Sequence, residues 1–376
     1  MWRGWLSAYD PFEFRCNCLK KIAVIMFNLG GPDRLSSVEP FLFNLFYDRA
    51  IIDLPNPFRW ALAKFISSRR KAKAISIYEK IGGKSPIVEM TNDQVEALEE
   101  VLNTSENSLT CKVFVVMRYW HPMSDEVAGA VKDYDPDEII LLPLYPQYST
   151  TTTGSSIMDW GRAARAAKID VPTKPICCYP TQPDWIDAQC KLINQSIEKM
   201  PHGAPMRVLF SAHGLPQKII DKGDPYQWQV EKTVGAIVET LTQQIPGMPV
   251  EHRLCYQSRV GRLEWIGPSI DDEIKRAAQD GVNVVVVPVA FVSEHSETLV
   301  ELDMDYAIKA YDLGIKQYER VPAVGTHPDF MAGLANLVEG ALKNNKVRDC
   351  ECGSKQSQCP HKNARTNFKT GTRLDP

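Results

Sequence analysis

The chain has 376 residues, 44% hydrophobic and 24% charged, with a formal net charge of -3. This length allows one large α/β domain or two medium ones with true cores, and the slightly acidic balance argues against nucleic-acid binding. No apolar run approaches the ~20 residues of a membrane-spanning helix, and ten scattered cysteines without an export signal describe reduced thiols rather than a disulfide scaffold.

Residues 1–19 read as a poorly ordered extension. They lack the continuous apolar core of a secretory signal, and Asp10 and Glu13 are out of place in a mitochondrial presequence. Eight short apolar runs follow: KKIAVIMFN, CKVFVVMRY, DEIILLPLY, KPICCYP, MRVLFSAH, EHRLCYQ, NVVVVPVAF and ERVPAVG. Most are apolar on consecutive positions, the pattern of strands buried on both faces of a parallel sheet. Helix-length segments lie between them, notably 92–102, 185–200, 227–243 and 271–278, which predicts βαβ units and a doubly wound α/β fold. Eight strands suit one wide sheet or two of four. The length favours two domains, 20–172 with 319–346 and 173–318, followed by an extension over 347–376.

In chain order, the strand ends collect the polar and aromatic residues. After the first strand comes NLGGPDRLSS, which lacks the G-x-G-x-x-G spacing of a dinucleotide site, so Gly30-Gly31 reads as a tight turn. Residues 46–71 then mix Ile51, Ile52, Leu54, Phe58, Trp60 and Phe65 with Arg59, Lys64, Arg69, Arg70 and Lys71. Such a segment is either a loop and helix packed on the core or an amphipathic lip that dips into a bilayer. The second and third strands end in Arg118-Tyr119-Trp120 and Tyr145-Pro146-Gln147. In open parallel sheets ligands bind beyond the carboxyl ends of the strands, and a large, flat, partly apolar ligand suits these side chains.

His213 ends the fifth strand, within LFSAHGLP, followed by DKGDPY. Its imidazole either caps a loop or serves at the mouth of the cleft, taking a proton or a divalent metal. After the seventh strand, SEHSETLVELDMDY spaces Glu297, Glu301 and Asp305 four residues apart, on one face if helical. That stripe is either a solvated acidic face or a carboxylate path for a hard divalent cation. In the tail, Cys350, Cys352 and Cys359 fall within ten residues, a spacing that favours a metal site, either zinc with His361 or an iron–sulfur cluster.

The LFSAHGLP…DKGDPY segment resembles the ferrochelatase signature. The other motifs follow in the family's order: NLGGP, YEKIGGKSP, RYWHP, LYPQYSTTTTGSS, QSRVGRLEWIGP and AFVSEHSETLVELDMDY, over roughly residues 21–345. The resemblance implies two Rossmann-like (chelatase-type) domains, each a four-stranded parallel sheet flanked by helices, with the active-site cleft between them. It implies an enzyme that inserts Fe2+ into protoporphyrin IX to give protohaem, and His213 and Glu297 would be catalytic. Glu301 and Asp305 would extend the Fe2+ site and path. Leu29, Tyr78, Ser85, Arg118, Tyr119 and Trp265 would contact the porphyrin, and Tyr145 and Glu294 match a secondary cation site. The family's [2Fe–2S] members imply a cluster on Cys350, Cys352, Cys359 and an internal cysteine. Thr150 occupies the animal enzymes' internal position, so Cys178, with Cys177 as its alternative, is expected instead. A cytoplasmic protein held peripherally at the inner membrane, in some cases a homodimer, completes the expectation. The alternatives are a coproporphyrin or other tetrapyrrole chelatase and a non-enzymatic porphyrin carrier.

Overall fold

The computed structural model describes residues 20–104, 109–201, 203–244, 251–259, 261 and 263–343. The expected extensions at 1–19 and 347–376 lie outside the described residues, and so do Cys350, Cys352 and Cys359.

Two four-stranded sheets, parallel throughout, organise the chain. The first holds β1 (Lys20–Asn28), β2 (Leu109–Met117), β3 (Glu138–Pro143) and β4 (Thr173–Pro175), in the spatial order β2-β1-β3-β4. The second holds β5 (Met206–His213), β6 (His252–Gln257), β7 (Asn283–Pro288) and β8 (Tyr318–Arg320), in the matching order β6-β5-β7-β8. The helices are α1 (Val38–Tyr47), α2 (Phe58–Glu79), α3 (Ile87–Thr104), α4 (Ser124–Tyr134), α5 (Ser155–Ala166) and α6 (Pro183–Ile197). They continue with α7 (Gln217–Asp221), α8 (Tyr226–Gln244), α9 (Ile270–Gln279), α10 (Ala307–Asp312) and α11 (Pro328–Lys343).

Helices on both faces explain the unbroken apolar strands. Ile22, Val24 and Met26 of β1 face one core while Ala23, Ile25 and Phe27 face another, packed by α4 and α5. The first of these cores also takes Val208 and Phe210 of β5, Val285 and Val287 of β7, and apolar residues of α6, α8 and α11. One core therefore runs through both sheets. A third, under α9 and α10, covers the far face of the second sheet.

The strand pairing moves two expected boundaries. Thr173–Pro175 pairs with β3, so the first sheet runs three residues past the expected limit at 172. Tyr318–Arg320 pairs with β7, so the chain returns to the first domain after 320 rather than at 319. Both strands have only three residues, too few for an apolar pattern to mark their ends. The ICCYP half of the expected fourth strand leaves the ladder after Pro175.

Buried polar side chains join the two sheets at their carboxyl ends. Gln94 of α3 donates to the carbonyls of Val292 and Gly325, each at 2.9 Å. Gln147 donates to Thr233 Oγ1 at 2.9 Å and to the Val289 carbonyl at 3.0 Å. Asp224 accepts from the Thr150 N–H and hydroxyl, both at 2.7 Å, and so fixes the segment after β3 to the second domain. Fully buried amides that bond across two chain segments specify a single relative placement of those segments.

Candidate active site

In a doubly wound sheet the binding crevice forms where the strand order reverses. Here that point falls between β1 and β3 in the first sheet and between β5 and β7 in the second. His213 is the last residue of β5, and the segment after β7 leads to Glu297. Both side chains therefore reach the second sheet's switch point. His213 Nδ1 and Glu297 Oε2 lie 2.9 Å apart, with side chains 37% and 30% exposed. They pair with each other and still open onto the cleft.

The surroundings hold this pair in place. Gly214 follows His213 where a Cβ would sit 2.9 Å from the Gln257 carbonyl, so only glycine fits there. The Tyr226 hydroxyl donates to the His213 carbonyl at 3.0 Å. Trp265 pairs its backbone antiparallel with Pro216, which closes the loop beyond His213. A second imidazole approaches the same carboxylate, with His295 Nε2 3.7 Å from Glu297 Oε2. His295 is buried, and its ring packs on Phe291 at 4.6 Å between centroids.

The electrostatics follow from this geometry. Burial pulls the His213 pKa down, but the charge and hydrogen bond of Glu297 outweigh it and leave the imidazole above its ordinary value. Burial likewise works to raise Glu297, yet His213 first and His295 second hold its carboxyl well below the usual carboxylate range. Glu301 is shifted the other way, raised by burial and by the Glu297 charge against two hydrogen bonds from Ser258. A strong carboxylate thus lies beside a weak one, and the weak one accepts a proton more readily.

Glu297, Glu301 and Asp305 lie on one helix, and it is a π-helix, Glu297–Tyr306. Its i→i+5 bonding still stacks the three acids, and such turns concentrate at functional sites. Glu301 accepts from the Ser258 N–H at 2.9 Å and from the Gln257 side chain at 3.2 Å. Asp305 is 53% exposed and ion-pairs with Lys80 at 3.0 Å. The stripe runs from the cleft to solvent.

The first domain supplies the facing wall. Gly31 lies against Ser85 so closely that a Cβ would sit 2.6 Å from the serine's Cβ, a close approach that only glycine allows. Leu29 packs with Tyr78, and burial pushes the Tyr78 phenol up to about 12. Arg118 donates to Ser155 at 2.6 Å and pairs with Asp48 at 2.9 Å. Tyr119 is buried and gives its hydroxyl to the same Asp48 oxygen at 2.8 Å, so it and Arg118 share one carboxylate. Tyr145 lies near Ser156 and Arg118, whereas Glu294 pairs with Arg320 at 2.7 Å and accepts the Ala323 N–H. A guanidinium already neutralises the carboxylate expected to take a second cation. Cys177 and Cys178 sit with their sulfurs 3.2 Å apart, and the Gln229 amide donates to Cys178 at 3.3 Å.

Sequence reasoning did not single out Asp48, Ser155, Gln257, Ser258 or His295. His295 carried a signal, lying two residues from Glu297, but an i,i+2 spacing does not place two helical side chains on one face. Asp48 shares its segment with Arg49 and Asp53, and only the fold shows that it meets Arg118.

Parallel sheets whose switch point presents a histidine–carboxylate pair and an acid stripe define a cleft enzyme for proton and cation chemistry. The comparison with known proteins makes this specific. The ferrochelatase family model matches residues 21–342. The ferrochelatase of Pelagibacter ubique is 48% identical over 348 residues, covering 90% of this chain and 98% of its own length. That of the Wolbachia of Drosophila simulans is 53% identical over 317 residues, covering 84% and 98%. Among solved structures, SirB from Bacillus subtilis with Fe3+ is 14% identical, with a TM-score of 0.48, covering 86% of this chain and 95% of its own. The chain belongs to the ferrochelatase family, whose members are lyases of haem synthesis.

Proposed function

We propose that His213 and Glu297 are the reacting pair with which the chain inserts ferrous iron into protoporphyrin IX. Their 2.9 Å contact at the switch point of the second sheet carries this assignment. A free-base porphyrin must lose two N–H protons as one divalent cation enters. Neutral His213 takes a pyrrole proton at its ring nitrogen, and ionised Glu297 stabilises the imidazolium that results. Glu301, with its raised affinity for a proton, is the next acceptor, and the oxygens of Glu301 and Asp305 suit the approach of a hard cation substrate. Leu29, Tyr78, Ser85, Arg118 and Trp265 wall the cleft, where apolar contact holds the macrocycle with its nitrogens toward His213. The chemistry is tested by anaerobic incubation with protoporphyrin and ferrous iron. Haem should form with the unaltered protein and not with His213→Ala.

Two further readings accompany the first. Phe58, Trp60 and Phe65 are 69%, 51% and 61% exposed on the first half of α2, with Arg59 and Arg69 stacked over aromatic rings beside them. No helix among the described residues is long and apolar enough to cross a membrane. The lip therefore suits shallow, peripheral contact with a bilayer, at the side from which an apolar porphyrin arrives. The second reading is a [2Fe–2S] cluster, which would give a structural clip and no redox step. Cys178 fits as its internal ligand, being half-buried with an amide N–H directed at its sulfur, as a thiolate requires. The same Gln229 side chain accepts from the Tyr148 N–H at 2.7 Å, which puts Cys178 beside the 148–150 turn where animal enzymes carry theirs.

A further inference from the structure

Helix α2 ends against the acidic π-helix of the other domain. Lys80 closes α2, and its ammonium lies 3.0 Å from Asp305 Oδ1, with the two side chains 46% and 53% exposed. Just before it, Tyr78 lies close to Ser296, the residue preceding Glu297, and feels the charge of Glu297 itself. The end of α2 thus meets both the inner and the outer end of the acid stripe. Asp305 is the first carboxylate that a hydrated cation from solvent would meet, and it already holds a monovalent cation of the chain itself.

We propose that Lys80 gates cation admission by competing with the incoming ferrous ion for the Asp305 carboxylate. This rests on reading Glu297, Glu301 and Asp305 as the cation path. An exposed ammonium–carboxylate pair is weak and screened by salt, and a divalent ion satisfies carboxylate oxygens better than an ammonium does. The pair therefore biases admission without locking it, since the ammonium must leave the carboxylate before the divalent ion can take it.

The test is steady-state kinetics at low ionic strength, varying ferrous iron and porphyrin separately. Lys80→Met should lower the KM for iron on the order of two- to fivefold, while the KM for porphyrin stays as it was. Lys80→Arg should behave as the unaltered protein, and the Met effect should vanish in an Asp305→Asn background and in high salt. An iron KM that Lys80→Met leaves unchanged or raises overturns the gate. Glu301→Gln separates the two layers. If it raises the iron KM while Lys80→Met does nothing, the path stands and the gate falls; if it leaves the iron KM unchanged, the path falls and takes the gate with it.

Discussion

Two imidazoles approach Glu297, and the unequal distances, 2.9 Å to His213 and 3.7 Å to His295, make His213 its partner. The consequence for pH has a definite sign. Proton abstraction and metal binding both need neutral His213, so activity should rise with pH through the raised His213 pKa. Glu297→Gln removes the negative charge that favours the imidazolium, lowers that pKa and moves the acid limb of the kcat/KM profile to lower pH, alongside a loss of rate. A limb that stays in place or moves to higher pH would contradict the pairing. His213 was legible as a histidine at the end of a buried strand, and Glu297 as the first acid of a stripe. Their contact was not, because 84 residues separate them and only the juxtaposition of β5 and β7 joins them. The Glu294 environment was hidden for a related reason, since no local pattern announces that Arg320, 26 residues on, claims its carboxylate.

At the scale of elements, the buried parallel strands were readable from unbroken Val and Ile runs, and six of the eight lie where those runs do. The two three-residue strands are too short for an apolar pattern to bound, and the spacing of the acids fits a helix without distinguishing π from α. The lip was left between core packing and membrane contact. Fold geometry narrows this, as Ala63 and Ser67 are the fully buried positions of its helix while Phe58, Trp60 and Phe65 face outward. An apolar side chain buried in a bilayer contributes ~2 kcal/mol, so Trp60→Glu should lower liposome binding in a flotation assay by tenfold or more while soluble turnover with detergent-dispersed porphyrin persists. Equal flotation of both proteins would remove the membrane role from this helix.

At the scale of the whole molecule, one apolar core and a seam of buried amides make the two sheets a single unit, and the cleft opens where their carboxyl ends meet. The cluster reading belongs here, since a ligand at Cys178 would tie the chain's end to that seam. Freshly purified protein should show thiolate-to-iron charge-transfer absorption in the visible and about two bound irons, and Cys178→Ser should lose both. Colourless, iron-free protein would dispose of the cluster without touching the site at His213.

The central claim is that this pair performs the insertion, and His213→Ala measures it most directly. Porphyrin binding, followed by fluorescence titration, should change little, because the walls contributed by Leu29, Tyr78 and Trp265 are intact. Haem formation under anaerobic conditions with saturating ferrous iron should fall by at least ~10²-fold, the scale of a lost general base. Haem formation by the porphyrin-loaded variant at near-normal rate would show that the chemistry lies elsewhere.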